Sequence, residues 1–463
     1  MQKFIAKYGL AAHLAILAVA PLFLYPFFDA GVQAVVLLWL SVPALIWIFM
    51  EPSLRQGESL HRARKRVWRE IVADPLTWMA VILSVITGVR ALNVGIGLSY
   101  DAEIHKWVVS KAMFTLLPGC VDGHGFLPFA AVVAWSVIMV GCRHSLGKSA
   151  RMALLVISSS FSGVAAVMTI FLGVNGNAIA AKALECAPLM CSFVGSAFAL
   201  YLLAGIPAVV AAFERGWALS MPCFVFAIGG NAAAAFAFCP IRNSVVFFVL
   251  ALVLLIYSFG FSFSVLKNSG AFKMLVVAGI SITLGGLLVA AVLPEKLVAS
   301  RVGAVLSFSL LPESFMKLRE MLSAIALRTW LNHLWIGTGL GSFPLDFRFG
   351  AVAENWAMVR GGVTELPNGW LFLLVERGIV GAVMLALPTG MLLFTYFRRM
   401  VGGFVARKLP HPACFMAPMV ICGVALITVC DCSLLRGDIL IAGSILISVS
   451  ASSFSKAKRR NDG

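Results

Sequence analysis

Charge is scarce in this 463-residue chain, at 12% of residues, and acidic charge is scarcer still, with 20 Asp and Glu against 36 Lys and Arg. A soluble domain carries roughly twice that share of charge, so a water-soluble globular protein is excluded. The sequence also lacks an internal repeat, a low-complexity linker and any composition shift that would mark off a soluble domain. Its ten cysteines show no metal-ligand spacing and read as small core hydrophobes. Alternation of apolar and polar residues is missing too. Runs such as Val245–Phe263 are apolar on every face, which excludes a membrane β-barrel.

What is present is apolar: 61% of residues are hydrophobic. Runs of roughly 18–22 residues, the length a helix needs to cross about 30 Å of hydrocarbon, fall at 8–27, 32–50, 76–92, 125–142, 152–172, 191–212, 218–238, 244–265, 274–293, 378–397, 411–430 and 437–454. The expected fold class is therefore all-α: a polytopic membrane protein of about twelve transmembrane helices, with residues 1–463 forming one transmembrane domain. Ala18-Val19-Ala20 has the look of a signal cleavage site, but Pro21 follows directly and the apolar run continues, so this segment is read as the first span.

The basic residues cluster in the breaks. Residues 51–75 hold Arg55, Arg62, Arg64, Lys65, Arg66 and Arg69; 143–151 hold Arg143, Lys148 and Arg151; 398–408 hold Arg398, Arg399, Arg407 and Lys408; the tail adds Lys456, Lys458, Arg459 and Arg460. Counted over twelve spans, all of these fall on one side, which the positive-inside rule makes cytoplasmic, together with both termini. The net charge of +16 is this topology signal, and the partner it implies is anionic membrane lipid rather than nucleic acid. Cys120, Cys186 and Cys191 then fall in outward loops, where a disulfide can form.

Residues 294–377, between the ninth and tenth spans, form an outward segment several times longer than the other breaks, and long structured breaks tend to carry function. Within it Phe315, Leu318, Leu322, Ile325 and Ala326 recur at helical spacing, predicting an amphipathic helix over about 313–333 with Arg319 at the edge of its apolar stripe. Such a helix either lies on the membrane surface with Arg319 at the headgroups or caps a cavity and aims Arg319 at an anion. Gly337-Thr338-Gly339-Leu340-Gly341 lacks the strand and lysine of a phosphate loop and reads as a flexible turn returning the chain to the bilayer.

Three stretches carry a family resemblance. Pro240-Ile241-Arg242-Asn243-Ser244 precedes an apolar run; Arg319 is followed fourteen residues later by His333 and then by the glycine turn to Phe343; and Pro367-Asn368-Gly369-Trp370-Leu371 leads to Glu376-Arg377-Gly378-Ile379-Val380-Gly381. In this order the chain resembles the O-antigen ligase and O-antigen polymerase superfamily of bacterial membrane glycan transferases, with helical, GT-C-like folds. Two positions depart from that pattern: Ser323 stands where the family has tryptophan, and Pro367 where it has the histidine that ligases use.

The resemblance implies an inner-membrane enzyme, active on the periplasmic face, that transfers a polyprenyl-diphosphate-linked oligosaccharide to a glycan or to lipid A core, with a chain-length regulator as a further partner. It implies Arg242 and Arg319 as a diphosphate clamp, since guanidiniums stay charged and match phosphate oxygens. The outward loops hold no Asp-x-Asp pair or histidine cluster, so neither metal nor other cofactor is expected. His333 is the candidate acid-base group. Asn368, Glu365 and Glu376 are candidate sugar contacts, and Arg328, Arg348 and Arg360 candidate contacts for acidic groups. The plain readings stand beside these: a turn residue for His333, a solvated charge for Glu365, a hydrogen-bond partner at the next helix for Glu376. Pro367 favours a polymerase over a ligase; a protein oligosaccharyltransferase and a lipid-linked glycan flippase are the alternatives.

Overall fold

In the computed structural model, the residues described are 2–24, 30–50, 58–101, 106–110, 119–121, 125–174, 192–213, 224–239, 241–292, 313–343, 368–405 and 411–428, with short pieces at 295, 298–299 and 302. Helices dominate them. In chain order they are α1 (Gln2–Leu24), α2 (Ala30–Met50), α3 (Leu60–Val72), α4 (Pro75–Leu92), α5 (Phe126–Val140, continued by a π turn at Gly141–Ser145), α6 (Lys148–Val174) and α7 (Ser192–Phe213). There follow α8 (Asn231–Phe238, entered by a π turn at Phe226–Gly230), α9 (Ile241–Val292), α10 (Glu313–Asn332), α11 (Gly369–Val405) and α12 (Met416–Thr428).

Five segments are long and apolar enough to cross a membrane: Gly31–Met50, Pro75–Leu92, Phe126–Ser145, Ser149–Phe171 and Asn243–Phe263. Shorter apolar helices lie at Tyr8–Leu24, Gly195–Val210, Phe226–Phe238 and Val276–Val292. These nine coincide with the first nine expected spans. The expected span 437–454 lies outside the described residues. The outer surface is itself apolar: Trp39 is 72% exposed and Ile256 63%, a surface that water would not tolerate and lipid does. Inside, α1, α2, α5, α6, α7, α8 and α9 share one core, in which Tyr201 donates its hydroxyl to Ala18 O at 3.0 Å. Small residues set the helix spacing. A methyl added at Gly163 would lie 2.0 Å from Phe226 O, so α6 and the π turn before α8 meet backbone to backbone.

α9 runs for 52 residues, too long for one crossing. Its ends show how it fits. Ser244 Oγ donates to Ala235 O at 3.1 Å, while a methyl at Gly229 would lie 2.5 Å from Ser281 O. Gly229 and Ala235 are less than two turns apart, so the two serines sit within roughly 20 Å of each other, against about 55 Å along a straight helix. The run therefore folds back, and its two apolar halves stand antiparallel.

Where the sequence reading has a loop at 51–75, the structure has α3, an amphipathic helix whose Ala63, Val67 and Ile71 are buried and whose start Ser59 caps by accepting from Arg62 N at 3.5 Å. The next helix begins at Asp74-Pro75. Asp74 accepts from Leu76 N at 3.3 Å and from Arg143 at 2.8 and 3.0 Å, and His144 Nε2 lies 3.0 Å from its Oδ2. This ties the start of α4 to the end of α5, so the pair is antiparallel, and the end of α4 at its opposite end leads into residues 93–101.

The described residues are overwhelmingly helical, as expected, and that opposite end adds one small sheet. Val94–Asp101 (β1), Lys106–Ser110 (β2) and Cys120–Val121 (β3) form a three-stranded sheet in the order β2-β1-β3, with β1 antiparallel to β2 and parallel to β3. Cys120 is buried, and its Sγ donates to Ala91 O at 3.4 Å. Cys186 and Cys191, its notional disulfide partners, lie outside the described residues.

Candidate functional site at the sheet end of the bundle

α11 is broken. Gly378, at φ 67° and ψ −174°, interrupts the helix after its first turns, and the backbone groups freed by the break bond to the segment that follows α10. Thr338 N donates to Val375 O at 2.8 Å and Gly339 N to Glu376 O at 3.2 Å, while Ile379 N and Val380 N donate to Leu334 O and Trp335 O at 3.0 and 3.1 Å. The glycines make this exchange feasible. A methyl at Gly337 (φ 77°) would lie 2.5 Å from the Glu376 carbonyl carbon, and one at Gly378 2.3 Å from Trp335 O. The glycine turn is thus not the flexible connection that composition suggests. Gly337, Gly339 and Leu340 are buried, and Leu340 N donates to Gly119 O at 3.0 Å beside a bridge to Cys120.

α10 packs on the same break. Its Leu322 and Ala326 are buried against Phe343 and Val375, so the apolar stripe meets α11 rather than lipid. Arg90, in the last turn of α4, completes the junction from the third side. It is 5% exposed and donates from Nη1 to Glu376 O at 3.2 Å and from Nη2 to Ile336 O at 2.8 Å. The Glu376 side chain turns the other way, and its Oε1 accepts from Gly341 N at 2.8 Å. Beside it Arg377 is 6% exposed, and its stem lies across Gly381, where a methyl would come within 2.4 Å of the arginine Cβ.

The expected site residues divide as follows. The backbone of Arg319 stands on α10, one turn before Leu322, and that of Arg242 in the first turn of α9; their side chains lie outside the described residues. The start of α9 reaches the same end of the bundle through α12. A methyl at Gly423 would touch Leu250 and Phe247, and Trp370 Nε1 donates to Ala425 O at 3.4 Å. His333 follows α10 with its side chain exposed, while its carbonyl accepts from Gly337 N at 2.9 Å. Arg328 is exposed on α10. Asn368 starts α11 as a cap, accepting from Leu371 N at 3.2 Å, and Glu376 is the hydrogen-bond partner just described. Glu365, Arg348, Arg360 and Pro367 lie outside the described residues.

No family model matches this chain, and no curated protein does. The kinship named from its motifs therefore rests on the residues alone.

Arg90 and Arg377 are not among the expected site residues. Arg90 stands in the last turn of α4, and only the fold carries it to the break in α11. Arg377 has a visible cue, a charge flanked by glycine in an apolar run, yet its burial depends on Gly381 four residues on. Among the described residues no group of three or more His, Cys, Asp or Glu could hold a metal ion.

Proposed function

We propose that this chain is a glycosyltransferase of the O-antigen ligase and polymerase superfamily, acting at the periplasmic face of the inner membrane. It takes a polyprenyl-diphosphate-linked oligosaccharide as donor and a glycan as acceptor, and Pro367 favours elongation of repeat units over transfer to lipid A core. The observation that carries the reading is the junction at Gly378. The arginine-bearing α10 with the glycine turn that follows it, and the Asn368–Gly381 stretch, pack on one break. They carry two of the three stretches on which the resemblance rests; the third, with Arg242, opens α9.

In the reaction an acceptor hydroxyl oxygen bonds to the anomeric carbon of the donor. The bond from that carbon to the diphosphate oxygen breaks, its electron pair leaves with the diphosphate, and the hydroxyl proton passes to a base. Arg242 and Arg319 would hold the departing diphosphate in a site partly dried by helices, where charge-assisted contacts are strongest. His333 has an exposed ring within reach of solvent and is the candidate base. Purified protein offered lipid-linked repeat units should lengthen them. Arg242→Ala or Arg319→Ala should lower turnover ~10²–10³-fold, the effect of losing a pre-aimed donor, while membrane insertion stays normal. Wild-type turnover in either variant removes that arginine from the mechanism.

A flippase for the same lipid is the second reading. It is favoured by the discontinuous α11 and by buried Asn231, which donates to Ser159 O and Ser162 Oγ at 3.2 and 3.0 Å inside the bundle, since transporters concentrate broken helices and polar groups there. Donor translocated but never elongated, in a preparation able to bind it, would decide for transport.

A further inference from the structure

Two cations are buried at the Gly378 junction, and one of them is unanswered. Arg90 spends both terminal nitrogens on carbonyls of Ile336 and Glu376, and its Nε is buried without a partner. Arg377 has less: its Nε is also buried without a partner, and no hydrogen bond or ion pair joins its guanidinium to another described residue. Arg90 reaches the carbonyl of the residue just before Arg377, so both arginines meet at Glu376. Among the described residues at the junction, two guanidiniums stand beside one carboxylate, that of Glu376. A buried charge without partners is strongly unfavourable, and nothing in the packing requires one, because a neutral chain of the same length would fill the space over Gly381.

The position selects the ligand. The junction lies at the end of α4 and at the head of the second half of α11, beside the sheet and at the boundary of the apolar bundle. An anion reaching it must bring its own apolar anchor or come from the adjoining aqueous phase. A guanidinium suits phosphate oxygens. We propose that Arg377, backed by Arg90, binds the phosphate group of a membrane lipid at the sheet end of the bundle. The choice of lipid rests on the proposed function: the lipid is either the polyprenyl donor, whose diphosphate would meet a third guanidinium here, or an anionic glycerophospholipid held as a fixed counter-ion.

The test uses the full chain in detergent and reads binding by native mass spectrometry and by the shift in unfolding temperature. The probes are undecaprenyl phosphate, the uncharged alcohol undecaprenol, phosphatidylglycerol and inorganic phosphate. Wild-type protein should bind undecaprenyl phosphate at least tenfold more tightly than undecaprenol. Arg377→Met should lower that preference severalfold, leaving what Arg242 and Arg319 supply, while unfolding, without lipid, at the same temperature as wild type or higher, because it removes an unanswered charge; an arginine kept for packing would show the reverse. Arg377→Lys should restore part of the preference. A preference for undecaprenyl phosphate over phosphatidylglycerol assigns the site to the donor, and equal binding of the two assigns it to headgroups; binding of inorganic phosphate alone overturns the lipid assignment. Should Arg377→Met fail to fold, equal wild-type affinity for undecaprenol and its phosphate sinks the proposal without it. A protein that elongates glycans while Arg377→Met keeps the phosphate preference disproves this inference and leaves the proposed function standing. One that binds through Arg377 but neither elongates nor transfers donor does the opposite.

Discussion

At Asp74 burial pushes the carboxyl pKa up, because a charge taken from water loses hydration, yet the contacts with His144 and Arg143 outweigh it and hold the group at about 2 against an ordinary 3.8. A carboxylate whose pKa is lower in the folded chain than in the unfolded one stabilises the fold above the unfolded value, and that contribution is lost as pH falls through the folded value. The window is thus pH 4 to 2, and the full contribution is on the order of 2 kcal/mol. Unfolding followed in detergent should show wild type more stable than Asp74→Asn at pH 6, with the gap closing as pH is lowered from 4 towards 2. A gap that stays constant over that range would mean the ion pair does not hold α4 to α5. The sequence reading leaves Asp74 in the break before the span 76–92; its partners come from a helix end about seventy residues on, and only the fold joins them.

At the scale of elements, two helices show what hydropathy reveals and what it hides. The two halves of α9 were legible as spans 244–265 and 274–293, because Lys267-Asn268-Ser269-Gly270 interrupts the apolar run, and the antiparallel halves follow from it. For α11 the expected boundary between the outward segment and the span, at 377/378, falls on the break at Gly378. What the sequence hides is that residues 369–377 are helical too, and that the helix is stopped by carbonyls and amides delivered from residues 334–339. The three-stranded sheet was missed for a similar reason: its pairing partners β1 and β3 are separated in sequence and joined only in space. Gly378→Ala tests the break. An L-residue at φ 67° costs roughly 1–2 kcal/mol, and the added methyl would also lie 2.3 Å from Trp335 O, so unfolding in detergent should show a loss of at least about 2 kcal/mol. Gly390→Ala, in the same helix with nothing within 4 Å of the added methyl, should be neutral or slightly stabilising by comparison. Equal effects at the two positions would mean that the interlock with the glycine turn carries no weight.

For the whole molecule, geometry and charge pattern converge on one arrangement. α4 and α5 are antiparallel and fastened at Asp74, so α3 with its Arg62, Arg64, Lys65, Arg66 and Arg69 stands at one end, and the sheet, Arg90 and the Gly378 junction stand at the other. The proposed function needs α3 on the cytoplasmic side, where the positive-inside rule would put it, and the junction on the periplasmic side. A reversed orientation would overturn the proposed function, so orientation is its sharpest test. In a chain with its ten cysteines replaced, a single cysteine at position 106 in β2 should react with a membrane-impermeant maleimide in cells whose outer membrane has been made porous. One at position 61 in α3 should react only after the inner membrane is opened. Labelling in the opposite order would place the arginines of the junction in the cytoplasm and exclude transfer on the periplasmic face.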